Sequence, residues 1–261
     1  MKYILVVFLF ISKVCAAQQW QAEVMLGAAT YSGDLSSSAA SLKGIGPAVA
    51  VNLKYVLPLN YIALRGGIAY GRLGADDKNS KDPAIRNRNL SFRTHVLEFN
   101  FGAELNILDP EYFKALPYIF VALGVFHYDP YSFDKRDQKT FLRSLGTEGQ
   151  GLIEYKDKKM YSLTQFCIPV GGGFKWAFND RYEVAFEIGG RYLLTDYLDD
   201  VSTSYVNPQV LGAERGRIAV EMANRQINSP AIIDGRQRGN PKVKDWYFLS
   251  GFKLLIKLQQ E

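Results

Sequence analysis

Cysteine and histidine are scarce in this 261-residue chain, which contains two of each. We expect the N-terminal segment to be removed after Ala17, which would take Cys15 with it and leave Cys167 as the single cysteine. One thiol cannot form an internal disulfide, so no cross-linked framework is expected. His95 and His127 are too far apart in the sequence to suggest a zinc site. We therefore expect neither a metal nor a cofactor.

Long apolar runs are also missing. No internal stretch reaches 18 uninterrupted apolar residues, and the mean hydropathy is −0.10, whereas a helical membrane protein would be far more apolar. The chain is instead rich in aromatic residues and glycine, with 16 tyrosines, 16 phenylalanines and 23 glycines. This composition is typical of a transmembrane β-barrel, in which only alternate residues face lipid.

Residues 1–17 have the pattern of a secretory signal peptide. Lys2 precedes an apolar run from Ile4 to Ile11, and Cys15-Ala16-Ala17 supplies small residues for cleavage. The run is too short for a membrane-spanning helix, which needs about 20 apolar residues. A lipoprotein signal at Cys15 is the less favoured alternative, because Lys13 occupies a position that wants a small or aliphatic residue. The expected domains are the signal peptide, 1–17, and one barrel domain, 18–261.

The rest of the chain has the period of two that defines β-strands. In the last segment, Trp246, Phe248, Phe252 and Leu254 share one face, opposite Lys253. Eight such segments are predicted: Trp20–Tyr31, Gly46–Leu57, Tyr61–Leu73, Leu90–Leu105, Leu116–Phe126, Tyr161–Trp176, Tyr182–Tyr192 and Asp245–Leu258. The fold predicted from them is all-β, a closed antiparallel eight-stranded transmembrane β-barrel.

Connections of two lengths alternate strictly between these segments. The long ones are Ser32–Ile45, Gly74–Asn89, His127–Met160 and Leu193–Lys244. Outer-membrane barrels have tight periplasmic turns and long extracellular loops, so this asymmetry predicts an integral outer-membrane protein with the long loops outside. Within the longest loop, Glu214–Ala223 has a helix-forming composition, and we predict a short helix there.

Charged residues recur on the faces of the strands that would line the lumen. An eight-stranded barrel has an interior just wide enough for side chains to fill, so opposite charges should pair there. We therefore predict a filled, plugged lumen instead of an open pore. The predicted lumen charge network is Lys54, Arg65, Glu98, Glu104, Lys175, Glu183, Glu187, Arg191, Lys253 and Lys257.

Three patterns could indicate chemistry, and a simpler interpretation is favoured for each. Asp196, Asp199 and Asp200 could hold calcium, but the calcium-loop pattern is absent and the residues suit turns and caps. The glycine runs 146–151 and 171–173 do not match a phosphate-binding loop. The serines at 202 and 204 and the two distant histidines form no recognisable triad. We do not expect an enzyme.

Sequence motifs through nearly the whole chain resemble those of a Bacteroidetes family of outer-membrane barrels that includes PorG. They include YSGDL at 31–35, RGGIAYGRLGADD at 65–77, PYIFVALGVFHYDP at 117–130 and the terminal DWYFLSGFKL. Two loop motifs are long and unusual. Their residues are Gly146, Thr147, Glu148, Gly149, Gln150 and Gly151 in the first, and Thr195, Asp196, Tyr197, Leu198, Asp199 and Asp200 in the second.

The resemblance implies a non-enzymatic component of the type IX secretion and gliding machinery, in contact with a periplasmic ring built by PorK and PorN. A small porin or solute channel is the alternative function, and it would require a lumen lining of unbalanced charge or small residues along one path. The expected surroundings are outer-membrane lipid and lipopolysaccharide. The net charge of +5 suits lipopolysaccharide phosphates better than nucleic acid, which an exported chain rarely meets.

Overall fold

The computed structural model describes residues 19–36, 44–58, 60–228 and 234–258. The predicted signal peptide lies outside the described residues. The described chain forms ten strands and two α-helices, accompanied by two single-turn 3₁₀ helices. In chain order they are β1 Gln19–Ser32, β2 Gly46–Val56, β3 Ile62–Asp76, α1 Pro83–Arg88, β4 Ser91–Asn106, β5 Ala115–His127, β6 Tyr131–Phe133, β7 Lys139–Phe141, β8 Thr164–Ala177, β9 Tyr182–Leu193, α2 Pro208–Ala223 and β10 Trp246–Leu258.

Eight of these strands close into a barrel. Each pairs antiparallel with its neighbours in the order β3-β2-β1-β10-β9-β8-β5-β4, and the pairing of β3 with β4 completes the circle. The first and last strands pair along their whole length, from Trp20 opposite Leu258 to Ser32 opposite Trp246. The predicted closed eight-stranded antiparallel barrel is confirmed, and every strand end lies within three residues of its predicted position.

The period-two pattern divides the wall into an apolar outside and a polar or aromatic inside. On β5, Ile119 and Leu123 point outward with 51% and 73% of their surface exposed, while Tyr118, Phe120 and Ala122 are buried inside. This strand is apolar on both faces in the sequence because its inner face is aromatic. An apolar outer surface around a filled interior is the arrangement of outer-membrane barrels.

The two ends of the barrel differ. At one, the turn end, the strands are joined by the short connections 107–114 and 178–181 and by the β2–β3 connection. The carboxamide oxygen of Asn179 accepts hydrogen bonds from the backbone N–H groups of Arg181 and Tyr182, both at 2.9 Å, which makes the second turn tight. At the other, the loop end, all the long connections meet. Among the described residues, no helix has the length and apolar character needed to cross a bilayer.

The long loops fold over the loop end as a packed layer. We define the loop cap as the described residues of 77–90, 128–160 and 194–245. One apolar cluster runs from the upper barrel into the cap, joining Phe92 and Phe126 to Tyr128 and Leu198. A second lies beneath α2 and contains Leu152, Val206, Leu211, Ala219 and Ala223.

Two elements of the cap differ from the sequence prediction. The helix is present, but it begins at Pro208 instead of Glu214, after Asn207 accepts a hydrogen bond from the N–H of Gln209 at 2.9 Å. Its backbone is interrupted at Gly216, where φ is 82°. Strands β6 and β7 form a short hairpin inside a region that we predicted to be a loop. Three-residue strands give too little alternation to be recognised in a sequence.

Candidate functional site

Six charged side chains form a closed ring across the lumen. In order around it they are Glu23, Lys54, Glu104, Arg65, Glu187 and Lys253, and each contacts two neighbours of opposite sign. We call this set the charge ring. The nitrogen–oxygen distances around it are 2.6, 2.8, 3.5, 2.9, 2.8 and 2.5 Å. All six side chains are buried, and six different strands supply them.

The two remaining strands of the barrel also contact the ring. Lys175 on β8 donates to Glu104 at 2.7 Å, and the hydroxyl of Tyr118 on β5 donates to Glu187 at 2.9 Å. The guanidinium of Arg65 lies 4.3 Å from the centre of the Phe120 ring. Every strand of the barrel therefore holds the same buried cluster, and the aromatic inner face of β5 covers its cations.

Two further ion pairs lie on either side of the ring. Towards the loop end, Arg191 donates to Glu98 at 3.0 Å, and the hydroxyl of Tyr247 donates to the same carboxylate. Towards the turn end, Lys257 contacts Glu183 at 3.2 Å, with 25% of its side chain exposed. The structure thus places all ten residues of the predicted network inside the barrel and joins each one to a partner.

Sequence reasoning missed Glu23, which two lysines of the ring share. Its strand shows no polar face in the sequence, because Met25, Gly27 and Ala29 follow Glu23 on the inward side. The usable signal was that Glu23 is the only charged residue between Trp20 and Tyr31. Pairing of β1 with β10 puts it beside Leu255, within reach of Lys253.

A mouth of about 270 Å³ lies at the turn end of the lumen. Lys54 and Lys175 form its floor, with Glu183 and Lys257 at its side. The side-chain oxygen of Asn106 is buried there without a hydrogen-bond partner. Because the lysines of the floor belong to the charge ring or bond to it, the mouth ends at the ring.

In the loop cap, the two loop motifs meet. The hydroxyl of Thr147 donates to Asp200 at 2.5 Å. Glu148, fully buried, accepts from the backbone N–H of Ser202 at 3.0 Å and from both the N–H and the hydroxyl of Thr203, at 2.8 and 2.6 Å. Its other strong partner is Arg238, whose guanidinium donates at 3.0 Å. These bonds join three segments of the cap through one carboxylate.

The backbone conformation explains why three positions of the first motif are glycine. Gly146, Gly149 and Gly151 have φ values of 58°, 89° and 73°, in the left-handed region that side chains rarely adopt. The resulting tight turns bury Thr147, Glu148 and Gln150 together. The motif therefore serves to point Glu148 at the second motif.

Asp199 and Asp245, two buried aspartates of the cap, are hydrogen-bond acceptors. Asp199 accepts from the N–H of Val201 at 2.9 Å and from the hydroxyl of Tyr31 at 2.6 Å, and Asp245 accepts from the N–H of Leu198 at 3.0 Å. Burial raises the pKa of Asp199 and that of Asp245 well above their usual range. Within the described part of the chain, no three Asp, Glu, His or Cys side chains are grouped to hold a metal ion.

Asp196 and Asp200 titrate closer to neutrality. Burial raises the pKa of Asp196 to about 7 and that of Asp200 to about 6, although Arg238 opposes the rise at Asp200. Asp200 accepts from the hydroxyls of Thr147 and Tyr161, at 2.5 and 2.7 Å. Both oxygens of Asp196 are buried without a hydrogen-bond partner.

Neither histidine is placed for nucleophilic catalysis. The Nδ1 atom of His95 contacts the hydroxyl of Tyr70 at 2.5 Å, and that of His127 contacts the hydroxyl of Thr164 at 3.1 Å. Both rings lie on the outer side of the wall, whereas Ser202 is buried in the cap beside Glu148. Among the described residues, no serine hydroxyl is hydrogen-bonded to a histidine ring.

The fold and the site define a class: an eight-stranded barrel of the outer-membrane type with ion pairs across its lumen. The chain belongs to the family described as "Domain of unknown function (DUF6089)", which matches residues 1–211. A search of curated protein sequences found no match.

Several solved structures are similar to this chain at low sequence identity. Neisserial surface protein A is 11% identical, with 93% of this chain and 98% of that one covered and a TM-score of 0.42. A major outer membrane protein from Thermus thermophilus is also 11% identical, with coverage of 92% and 99% and a TM-score of 0.44. Ail, the attachment invasion locus protein of Yersinia pestis, is 9% identical, with coverage of 92% and 99% and a TM-score of 0.40.

Proposed function

We propose that this protein is a non-conducting, non-enzymatic outer-membrane barrel that anchors a protein complex on the periplasmic side, within the type IX secretion and gliding machinery. The observation that carries the proposal is the charge ring, because six strands supply it, the other two contact it, and together they fill the lumen. If solutes cannot pass through the barrel, its function must depend on its outer surfaces, which can bind other proteins.

The outer surface supports an integral membrane position. Its strands present outward-facing apolar residues all round, as Val51 on β2, Phe99 on β4 and Phe252 on β10 illustrate, with 54%, 54% and 72% exposed. In water such a continuous apolar band would be unfavourable, whereas lipid tails match it. On this proposal residues 1–17 direct export, the loop end faces outward beside lipopolysaccharide, and the turn end faces the periplasm.

The charge ring argues against conduction on energetic grounds. Opening a path would separate pairs such as Lys253 and Glu187 and leave charges buried without partners, at a cost of about 3–5 kcal/mol for each pair broken. The loop cap, tied by Glu148 and Arg238, lies above the ring.

The turn end offers a surface for a periplasmic partner. Tyr112 is 80% exposed, and Phe113 follows it in the longest of the short connections. Aromatic residues of this kind are enriched at the centres of protein interfaces. The resemblance to the family that includes PorG implies that the partner is a ring of the PorK and PorN type, and we propose that it contacts this turn.

Purification from the native envelope tests the proposal. The full-length chain, tagged and extracted in mild detergent, should retain periplasmic partners that mass spectrometry identifies. The double variant Tyr112→Ser, Phe113→Ser should lose them. Ile153→Ser provides a control, because Ile153 is an apolar side chain that is 74% exposed but lies in the loop cap.

Two results of this purification would contradict parts of the proposal. If the unmodified barrel is purified alone from cells that assemble the whole secretion machinery, the anchoring function is wrong. If the turn variant retains its partners, the anchor remains but the contact lies elsewhere. Folding of each variant is checked by its heat-modifiable migration in gels.

A small porin or solute channel is the second candidate. The mouth of about 270 Å³ at the turn end is the observation in its favour, since it reaches Lys54 and Lys175 from outside. Planar bilayer recordings decide between the two functions. Steady, sizeable openings would favour the channel, whereas a plugged barrel gives none.

A further inference from the structure

The charges of the loop cap are segregated by sign. Its buried charged side chains are almost all acidic, with Asp77, Glu148, Asp199, Asp200 and Asp245 among them and Arg238 as the buried base. Across the described residues of the cap, exposed lysines and arginines outnumber exposed aspartates and glutamates by twelve to six. The cap therefore presents a positive surface outward, which the overall charge of +5 does not reveal.

One cleft concentrates this charge. It lies between the β6–β7 turn and α2, has a volume of about 520 Å³, and is open to solvent. Lys135 and Arg136 line it from the turn, and Arg217 lines it from the helix. All three side chains are exposed.

The two acidic side chains of the cleft, Asp134 and Glu221, accept hydrogen bonds from backbone N–H groups. Asp134 accepts hydrogen bonds from the N–H groups of Arg136 and Gln138, both at 2.8 Å. Glu221 accepts from the N–H of Lys135 at 2.8 Å, which ties the turn to the helix. These bonds hold the shape of the cleft and leave its cations without a carboxylate partner.

The cations are therefore available to an external anion. In the described structure none of Lys135, Arg136 and Arg217 forms an ion pair, unlike Arg88, which is paired with Asp77 at 2.7 Å. Asn224 lies at the edge of the cleft, and its side-chain oxygen accepts a hydrogen bond from the backbone N–H of Gln226. Its side-chain NH₂ group can then donate hydrogen bonds to a ligand. Arginine and lysine side chains that converge in this way are suited to phosphate oxygens.

We propose that this cleft binds phosphate groups carried by a saccharide. Three cations against the two carboxylates of Asp134 and Glu221 leave the cleft with a net positive charge, and the amide of Asn224 supplies a hydrogen-bond donor for a phosphate oxygen or a sugar hydroxyl. Two sources share this chemistry: the phosphorylated sugars of lipopolysaccharide in the same membrane, and a soluble phosphorylated glycan. The first source rests on the outward orientation proposed above, whereas binding itself does not depend on any secretion role.

The full-length chain in detergent is titrated by calorimetry with fructose 1,6-bisphosphate, with fructose as the uncharged control. A second titration uses vesicles that contain lipopolysaccharide, either intact or stripped of phosphate. We expect binding of the phosphorylated ligand in at least one pair and no binding of its dephosphorylated counterpart. Binding in both pairs indicates the shared phosphate chemistry, and binding only to intact lipopolysaccharide identifies the membrane source.

Matched variants locate the site. The triple variant Lys135→Gln, Arg136→Gln, Arg217→Gln should weaken binding at least tenfold at fixed ionic strength. The control Lys156→Gln, Lys159→Gln, Lys242→Gln removes the same number of exposed charges from the cap outside the cleft, and it should weaken binding less than twofold. None of the six side chains has an ion-pair partner among the described residues, so both proteins should fold. Equal losses in the two variants, or no binding by the unmodified chain, would overturn the proposal.

Discussion

The hydroxyl of Thr147 donates a hydrogen bond to the carboxylate of Asp200 at 2.5 Å, in a contact that is completely buried. The two residues are 53 positions apart in the chain and belong to the two loop motifs. The other oxygen of Asp200 accepts from Tyr161, which lies just before β8. The long loops are therefore tied to each other and to the barrel, and they act as one structural unit.

Replacing Glu148 by alanine should loosen the cap without opening the barrel. The change removes the acceptor of five hydrogen bonds and leaves Arg238 buried without its closest carboxylate, at a cost of about 3–5 kcal/mol. Hydrogen exchange should rise sharply across residues 197–206. The strands of the barrel should keep their protection.

Glu154→Ala is the control for this change, because Glu154 lies in the same loop and is exposed. It should leave exchange in the cap unaltered. Protection that survives in the Glu148 variant would contradict the role given to this carboxylate.

The cap should be more stable at acidic pH than at alkaline pH. In the folded cap, burial raises the pKa of Asp196 to about 7 and that of Asp200 to about 6, against about 3.9 in an unfolded chain. A raised pKa stabilises the folded cap fully below about pH 4, and this contribution is lost as the pH rises through 6 and 7. Exchange across residues 195–203, corrected for intrinsic rates, should therefore be slower at pH 5 than at pH 8.

Asp196→Asn isolates one of the groups responsible. Burial dominates the rise in the pKa of Asp196, and only the Ser202 side chain opposes it by hydrogen bonding, so the amide removes the titration with little loss of bonding. The variant should show a smaller difference in exchange between pH 5 and pH 8. An undiminished difference would assign the effect to the other aspartates.

The charge ring predicts unequal costs for two glutamates of the lumen. Glu23→Ala removes a carboxylate that Lys54 and Lys253 share at 2.6 and 2.5 Å, and we expect the free energy of unfolding to fall by about 3–5 kcal/mol. Glu183→Ala removes the partner of Lys257, which is 25% exposed, and should cost less than about 1 kcal/mol. Urea unfolding in detergent, followed by tryptophan fluorescence, measures both. Similar losses for the two variants would show that the ring is not the main electrostatic element.

Closure of the barrel depends on the contact of β1 with β10 at a pair of glycines. Gly251 lies opposite Gly27, and a Cβ atom added to Gly251 would lie 2.5 Å from the backbone oxygen of Leu26. Gly251→Val should therefore prevent the two strands from pairing. We expect a large drop in the folded, heat-modifiable fraction after refolding into detergent.

Ser250→Val is the matched control at this seam, because Ser250 is the adjacent residue and points to the outer, lipid-facing side. The apolar valine should be tolerated there. If the Gly251 variant folds as well as this control, the seam does not require close approach.

Much of the fold could be predicted because the two faces of a barrel strand lie in different environments, and this difference shows as alternation in the local sequence. The alternation of Leu97, Phe99 and Phe101 with Glu98 and Asn100 reflects lipid on one side and the lumen on the other. The hairpin β6–β7 lacks this alternation, because its three-residue strands lie in the cap and do not separate lipid from the lumen.

The lumen residues could be identified by the same alternation, but not their pairing. Lys253 contacts Glu187 on β9, but its closest partner is Glu23 on β1, the residue that the sequence did not reveal. Glu98 and Glu104, of the fourth strand, bind other cations instead. Which charged residues pair depends on the position of each one along the barrel axis. The stagger between neighbouring strands sets that position.

The sequence by itself determined the number of strands in the barrel wall, which face of most of them turns inward, and which ends carry the long loops, because a period of two and the length of a connection are local properties. Only the tertiary structure decided that Glu23 joins the charge ring, that Glu148 and Arg238 tie the cap, and that Lys135 and Arg217 face one cleft. These are contacts between residues tens to hundreds of positions apart. They arise when the barrel closes and its loops pack, so no single segment of the chain encodes them.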